Sequence, residues 1–307
     1  MTPASSPDFP QDFPGAIESV LLAPAPEPAR LIAAALARRY PGAAIFLYGS
    51  GISVSAAERA ADILFDYYVI APDYDGAIEN PLERLAARAL PPNVYYLEAE
   101  TPLGLLRAKY ALLSVRAFEQ LTGPNTFHSY FWARFAQPSR LVECPETLRS
   151  RMIAAVALAA GTFLWRARGL APAGAGWREI WLAGMNASYR AELRAEAPGR
   201  AAQLLDAYGS WPERIARFAL LSGPDGGGEQ GARLAWRLRA AQGALLSVAR
   251  LLKATATFRG GLDYIAWKVK RHAGIDVAVR PWERQYPFLA APVVAMRYYR
   301  LRAAARR

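Results

Sequence analysis

The pattern of apolar and polar residues predicts a sheet in the first half of the chain. Helical apolar spacing indicates helices at 30–39 and 81–90, and Pro91-Pro92 stops the second one. Apolar runs of strand length occur at 43–48, 63–70, 94–98 and 105–113. This order of elements predicts an α+β fold, a small mixed sheet covered by helices.

After residue 145 the pattern becomes helical, in stretches at 147–168, 177–186, 197–208 and 234–257. The Gly-rich segment 223–230 lacks the Gly-Lys-Ser/Thr ending and the preceding strand of a phosphate-binding loop, so we predict a linker. Residues 1–14 are predicted as a disordered arm. The expected organisation is this arm, a first domain at 15–144, a helical domain at 145–222, the linker, and a C-terminal region at 231–307.

The positive charge of the protein is concentrated in its last quarter. The chain has 307 residues and a net charge of +11, and residues 231–307 contain 16 Lys and Arg against three acids. Such asymmetry indicates a polyanionic partner, either nucleic acid or anionic lipid. Aromatic residues are interleaved with the basic ones, and a helix at 293–307 could lie in a membrane interface or dock on the protein.

The single cysteine, Cys144, excludes an internal disulfide and a cysteine-based zinc site. No uncharged apolar run is long enough to predict a membrane-spanning helix. The N-terminal residues lack the features of a signal or transit peptide. The expected location is therefore cytoplasmic.

A Gly-Ser turn and a strand carboxylate give the strongest chemical signal. Gly49-Ser50-Gly51 follows the first apolar strand, and Asp66 lies within the second. Backbone N–H groups and a hydroxyl at such a turn can hold a triphosphate, and glycine permits its close approach. A charge among apolar neighbours requires a partner, so Asp66 is predicted to bind Mg²⁺ or a basic group.

A second metal-binding carboxylate is expected two positions along the same strand, where this chain has Tyr68. Asp62, just before the strand, and Glu98, at the end of a later one, remain as candidates. Each is explained equally well as a solvated acid at a strand end. The second ligand stays open.

Basic and aromatic residues complete the candidate nucleotide site. Lys109 lies in an apolar strand and would reach the phosphates if it points inward, or be an ordinary edge lysine if it points outward. Arg134 suits a bidentate phosphate contact. Tyr189, Glu192 and Arg194 follow on a predicted helix, where Glu192 could instead form a surface ion pair.

These residues lie in short runs, FLYGSG, ILFDYYVI, NVYY, RAKYALLS, YFWARFAQP and SYRAELR. In this order and spacing the runs resemble the mitochondrial translocator assembly and maintenance family of phosphatidate cytidylyltransferases, over roughly residues 43–206. The resemblance implies a polymerase-β-type nucleotidyltransferase domain followed by a winged-helix-like domain and a basic C-terminal helical region. It also implies CTP and phosphatidate as substrates, and Mg²⁺ as the metal.

The resemblance further implies roles for individual residues. Asp66 would be the metal ligand, and Lys109 would act beside it in catalysis. The implied nucleotide-binding residues are Gly49, Ser50, Gly51, Arg134, Tyr189 and Arg194. An enzyme of this kind would be peripheral on the inner face of the cell membrane and would not need nucleic acid.

The chain departs from the family pattern at several positions. Ala133 replaces a glycine, Glu192 replaces an aspartate, and a histidine-rich stretch is absent. The acceptor lipid, its acyl chains and the oligomeric state are therefore open. The alternatives are a nucleotidyltransferase with another acceptor, and a membrane-binding adaptor that has lost its metal site.

Overall fold

The computed structural model describes residues 12–53, 63–192, 199–222, 229–257 and 277–285, together with 290, 293–294, 296–298 and 300. The fold is α+β with one five-stranded mixed sheet, as the apolar pattern predicts. The strands are Ala44–Tyr48 (β1), Leu64–Ala71 (β2), Asn93–Thr101 (β3), Gly104–Ser114 (β4) and Ser139–Glu143 (β5). Their order is β3-β4-β2-β1-β5, with β2 and β4 parallel and the other pairs antiparallel. The sequence pattern does not predict β5.

The helices in the described ranges are Asp12–Leu21 (α1), Glu27–Arg39 (α2), Tyr74–Ala77 (α3), Pro81–Ala89 (α4), Val115–Thr122 (α5), Tyr130–Phe135 (α6), Glu146–Arg168 (α7), Trp177–Ala191 (α8), Arg200–Ala207 (α9), Trp211–Ser222 (α10), Glu229–Thr257 (α11) and Pro281–Gln285 (α12). The predicted helices are present as α2, α4, α7, α8, α9 and α11. The pattern misses α1, α5 and α10, and also the short helices α3 and α12.

Two predicted boundaries are corrected by these helices. The disordered arm was expected to reach residue 14, but α1 begins at Asp12 and Phe13 is completely buried. The linker was expected at 223–230, but α11 begins at Glu229. Residues 1–11 and 223–228 lie outside the described part of the chain.

Helices cover both faces of the sheet. One face packs on α2, through Ile45, Leu47, Phe65, Tyr67, Val69 and Leu112. The other face packs on a larger helical layer centred on α7, through Phe46, Tyr68, Ile70, Ala111 and Leu113. Because one apolar cluster runs from this face into α7, α8 and α10, the border expected between residues 144 and 145 does not separate two cores. The described residues of 145–222 contain no strand, so the wing of a winged helix is not among them.

The central helix α7 is unusually apolar. Within the described ranges it is the one helix whose length and hydropathy would suffice to cross a membrane, and 67% of that stretch is buried inside the protein. A core helix passes the same test of composition. The sequence predicts no membrane-spanning segment, whereas α7 has the length and hydropathy of one. In the structure α7 packs at the centre of the helical layer.

Helix α11 crosses α8 and reaches β3. Its closest approach is at Gly243, where an added Cβ would lie 2.3 Å from the carbonyl oxygen of Ala191. Near the end of α11, Lys253 Nζ donates to the Pro92 carbonyl oxygen at 2.7 Å and to Asn93 Oδ1 at 2.8 Å. Burial lowers the pKa of this lysine to about 8. The helix therefore belongs to the body of the protein.

Part of the C-terminal positive charge points into the protein. Arg239 of α11 is 3% exposed, stacks 4.6 Å from the Phe127 ring centre, and donates from Nε to the Phe127 carbonyl oxygen at 2.9 Å. Further on, Arg297 Nη1 donates to Glu283 Oε2 at 3.1 Å, which ties part of the predicted helix at 293–307 to α12. Residues 301–307 lie outside the described part.

The Gly243 contact predicts opposite effects for two substitutions in α11. Gly243→Ala should destabilise the protein by about 1–3 kcal/mol, because its methyl group has no room beside the α8 backbone. Gly231→Ala in the same helix meets nothing within 4 Å and should stabilise it by about 0.5–1 kcal/mol through helix propensity. Urea unfolding of both variants measures the difference. Equal stabilities would mean that α11 is not held against α8.

The buried tyrosines predict loss of stability in alkali. Burial raises the pKa of Tyr67, Tyr68 and Tyr110 well above the ordinary value near 10. Above pH 10 the unfolded chain releases these protons and the folded protein retains them, so stability present below pH 10 is lost as the pH rises. Each retained proton contributes a slope of about 1.4 kcal/mol per pH unit. Urea unfolding at pH 9–11, with tyrosinate absorbance, measures this. Titration of these phenols near pH 10 in the folded state would contradict it.

Candidate functional site

Adjacent strands bring four polar residues into one row, and two of them, Asp66 and Lys109, are predicted site residues. Tyr48 of β1 is opposite Asp66 of β2, Asp66 is opposite Lys109 of β4, and Tyr96 of β3 continues the row. Paired residues point to the same face of a sheet. Tyr68 lies two residues after Asp66 in the core beneath the helical layer, so the row is on the rim of that face.

Asp66 and Lys109 form an ion pair, with Asp66 Oδ1 3.1 Å from Lys109 Nζ. The same oxygen is buried and has no partner in hydrogen-bond geometry within the described residues. The side chains keep 27% and 37% of their exposure, so the pair is accessible from solvent. Of the two orientations considered for Lys109, the structure has the one that faces the carboxylate.

The glycine turn lies directly beside this pair. Gly49 has φ of 74°, a left-handed conformation that favours glycine, and a Cβ there would be 3.7 Å from Asp66 Oδ2. The turn continues as a short 3₁₀ helix, Gly49–Ser53, which contacts β2. Gly51 lies in that turn and packs on the opposite core, where a Cβ would be 2.9 Å from Phe65. The backbone of Ser50 is in the turn, and its side chain lies outside the description.

Glu98, one of the two candidates for a second carboxylate, is not joined to Asp66. Glu98 shares its face, but Glu98 Oε1 accepts from Arg107 Nε at 3.0 Å and from the Tyr96 hydroxyl at 3.0 Å. Strand spacing puts the Cα atoms of Asp66 and Glu98 about 12 Å apart, with Lys109 between them. Asp62 lies outside the described residues. Glu98 therefore forms an ion pair with Arg107 and is not a ligand partner of Asp66.

A second charged group lies on the other side of Asp66. Arg134 of α6 stacks over the Tyr48 ring, 5.2 Å from its centre, and its Nη2 is 3.7 Å from Glu192 Oε2. Its Nε is buried and has no hydrogen-bond partner in the described part of the chain. The Arg134 and Glu192 side chains are 18% and 11% exposed, so this ion pair is largely enclosed by protein.

The remaining predicted residues are distributed differently. Tyr189 is in α8 and is buried in the main core. The helix ends at Ala191, so Glu192 lies just beyond it instead of on its face. Arg194 lies outside the described residues.

Sequence reasoning missed Arg250 and Tyr130. The guanidinium of Arg250, on α11, is 4.5 Å from the Tyr130 ring centre, and its Nε donates to the Pro91 carbonyl oxygen at 2.9 Å. The available signal is spacing, because the inward residues of α11 recur every three or four positions. They include Trp236, Arg239, Gly243, Arg250 and Lys253.

Burial shifts the pKa values of Tyr68 and His128 in the direction that favours their neutral forms. Burial, with smaller contributions from Tyr130 and Tyr48, raises the pKa of Tyr68. Burial also lowers the pKa of His128 to about 4, and the positive charge of Arg250 adds to the effect. The charges at pH 7 are therefore those of Asp66, Glu98 and Glu192 against those of Arg107, Lys109, Arg134 and Arg250. This balance suits an anionic ligand.

A cleft of about 260 Å³ lies at the other end of β2, lined by Tyr40, Pro41, Ala71, Pro72, Asp73, Gly76 and Ala77. Its single acid, Asp73, already accepts from the backbone N–H of Gly76 at 2.7 Å as the cap of α3. Asp66 and Ala71 are five residues apart on the strand, or about 17 Å. The charged row near Gly49 is therefore the stronger candidate for chemistry.

Comparison with known proteins gives no family assignment. No protein-family model matches the chain, and no curated protein matches it significantly. The short runs described above thus remain a resemblance, and a function has to be inferred from the residues that the fold brings together.

Proposed function

We propose that the protein is a Mg²⁺-dependent nucleotidyltransferase that transfers the cytidylyl group of CTP to phosphatidate, giving CDP-diacylglycerol and pyrophosphate. The observation that carries this proposal is the position of Gly49, whose left-handed turn lies against the Asp66 carboxylate. A polymerase-β-type domain needs such a phosphate-binding turn next to a metal-binding carboxylate. The order of the short runs favours CTP and phosphatidate among the substrates of that fold.

The residues fit a magnesium ion whose coordination is completed by oxygen atoms of the substrate. Mg²⁺ is commonly held by one or two carboxylates together with water and substrate phosphates. Asp66 supplies one carboxylate with a buried oxygen that no hydrogen bond engages. The described residues contain no group of three or more His, Cys, Asp or Glu that could hold a metal alone, so phosphate oxygens would complete the coordination. The bound ion would neutralise the triphosphate and polarise the reacting phosphorus.

The proposed reaction is an in-line displacement. A phosphate oxygen of phosphatidate attacks the α-phosphorus of CTP, and the bond to the bridging oxygen breaks with its electrons leaving on pyrophosphate. A phosphate monoester is ionised at pH 7, so no strong general base is needed. Lys109 contributes positive charge as charge develops on the leaving group. Because phosphatidate is a bilayer lipid, the enzyme would work at a membrane surface.

A catalytically inactive adaptor is the second candidate, and a specific contact favours it. Lys109 forms an ion pair with Asp66, and the position where a second carboxylate is expected holds the fully buried Tyr68. Such a protein would bind anionic membranes and no nucleotide.

The decisive assay uses radiolabelled CTP, phosphatidate vesicles and Mg²⁺, with separation of labelled CDP-diacylglycerol. Asp66→Asn should lose about a hundredfold or more of the rate, because it removes the metal-binding charge at constant size. Glu98→Gln is the matched control and should stay within about threefold, since Glu98 pairs with Arg107. Full activity of a folded Asp66→Asn protein would refute the site.

Binding measurements on the wild-type protein, made beside this assay, separate the alternatives. Mg²⁺-dependent CTP binding without lipid product would indicate another acceptor. Binding to anionic vesicles with no nucleotide binding would indicate the adaptor.

The role of the Gly49 turn is tested by substituting two glycines that both have positive φ angles. Gly49→Ala and Gly104→Ala replace residues with φ of 74° and 90°, so each should cost about 1 kcal/mol of stability. Only Gly49 lies against Asp66, whereas a Cβ at Gly104 meets nothing within 4 Å. Calorimetry should therefore show weaker CTP binding for Gly49→Ala alone. Equal CTP affinities for the two variants would mean that the turn does not hold the triphosphate.

A further inference from the structure

Two arginines from distant parts of the chain converge on one cluster. Arg134 comes from α6 and Arg250 from α11, and both lie within electrostatic range of the Glu192 carboxylate. Arg134 stacks on Tyr48, while Arg250 stacks on Tyr130. The rings that they stack on are joined through Phe131 and Tyr68 into one aromatic cluster. The two guanidinium groups therefore border the same cluster.

The hydrogen-bonding capacity of these arginines is largely unused. Each guanidinium has five N–H donors. Within the described residues Arg250 donates only from Nε, to the Pro91 carbonyl oxygen, and Arg134 makes no hydrogen bond, its contact with Glu192 being an ion pair at 3.7 Å. Both side chains are partly exposed, but the Nε of Arg134 is buried without a hydrogen-bond partner among the described residues, which is unfavourable unless a ligand engages the guanidinium group. A second negative charge is thus expected at this point.

The geometry points to a phosphate monoester as the missing partner. Planar guanidinium groups bind phosphate oxygens in a bidentate manner, and two of them match a dianion. Tyr68 belongs to the aromatic cluster and is two residues from Asp66 on the same face of β2, so their Cα atoms are about 7 Å apart. The Gly49 turn is the separate place for the triphosphate.

We propose that Arg134 and Arg250 bind the phosphate monoester of the acceptor substrate, so that α11 contributes directly to the substrate site. This inference rests on the proposed cytidylyl transfer for the identity of the acceptor. It assigns Arg250, in the C-terminal quarter, a binding role and not a membrane-surface role. The phosphate so held lies beside the position where the α-phosphorus of CTP would be attacked.

The chain offers a closely matched control for Arg250. Arg239 is on the same helix, stacks on aromatic rings and donates from Nε to a backbone carbonyl oxygen, as Arg250 does. Its neighbours are Phe127, Trp132 and Trp236, away from the Tyr68 cluster. Arg250→Met and Arg239→Met therefore remove the same kind of packing, and only the first removes a donor from the proposed site.

The test measures binding of soluble dihexanoyl phosphatidate, inorganic phosphate and CTP to the full chain by calorimetry. Arg250→Met should weaken dihexanoyl phosphatidate binding by about tenfold or more, since hydrogen bonds to a charged group are lost. Arg250→Lys, which keeps the charge and loses the fork, should lie between Met and wild type. Arg239→Met should bind both ligands as wild type does, and all variants should keep their CTP affinity.

Three results would overturn the inference. One is unchanged phosphatidate binding in folded Arg250→Met or Arg250→Lys protein. Another is an equal loss in Arg239→Met, which would indicate a structural effect of α11. The third is binding of inorganic phosphate as tightly as of dihexanoyl phosphatidate, which would assign the site to free phosphate.

Failure of the proposed function gives a different outcome. If wild type forms no CDP-diacylglycerol but binds dihexanoyl phosphatidate through Arg250, the phosphate site stands and the transfer reaction does not. If transfer occurs and Arg250→Met leaves the KM for phosphatidate unchanged, the reaction stands and this assignment of Arg250 is wrong.

Discussion

The alternation of side chains along β2 places a carboxylate where the fold must provide a positive partner. Residues 66, 68 and 70 point to one face, and Tyr68 and Ile70 are completely buried there under the helical layer. Asp66 continues the same row to the rim of the core, where an unpaired charge would be unfavourable. Lys109 on the parallel neighbour β4 meets this need. The glycine turn, the aromatic ring of Tyr48 and Arg134 are arranged around that pair.

Parts of this arrangement could be predicted from sequence because they depend on local pattern. The apolar runs that become β1 and β2 are continuous, and the glycine turn between them is a strong local signal. The register of β4 against β2 is not local, since it pairs residues 43 positions apart in sequence. The direction of Lys109 therefore stayed undecided until the sheet was known. The same reason explains why Glu98 remained a metal candidate: its pairing with Arg107 is a property of the β3–β4 hairpin.

Basic residues were the least predictable part of the site. A cation on a long helix usually marks the solvated face, so the positive charge of the last quarter was interpreted as a membrane surface. In α11 the reverse holds at three positions, because aromatic rings and backbone carbonyl oxygens can take up cations at modest cost. Arg239, Arg250 and Lys253 all use such partners. That these residues share the inward face of α11 follows from the packing of Gly243 against α8, which the sequence does not indicate.

The two charged pairs of the site differ in how firmly the protein holds them. The Asp66–Lys109 pair is partly exposed, so solvent screens it and it contributes little to stability. Asp66 and Lys109 can therefore separate and each bind a ligand with a small loss of free energy. Arg134 and Glu192 are more deeply enclosed, where separating the charges without replacement would be expensive. A ligand that engages Arg134 must therefore bring its own negative charge. On the proposed function, the partly exposed pair would suit a metal and a triphosphate that bind and leave at every turnover, and the more enclosed Arg134 would suit the orientation of a single phosphate.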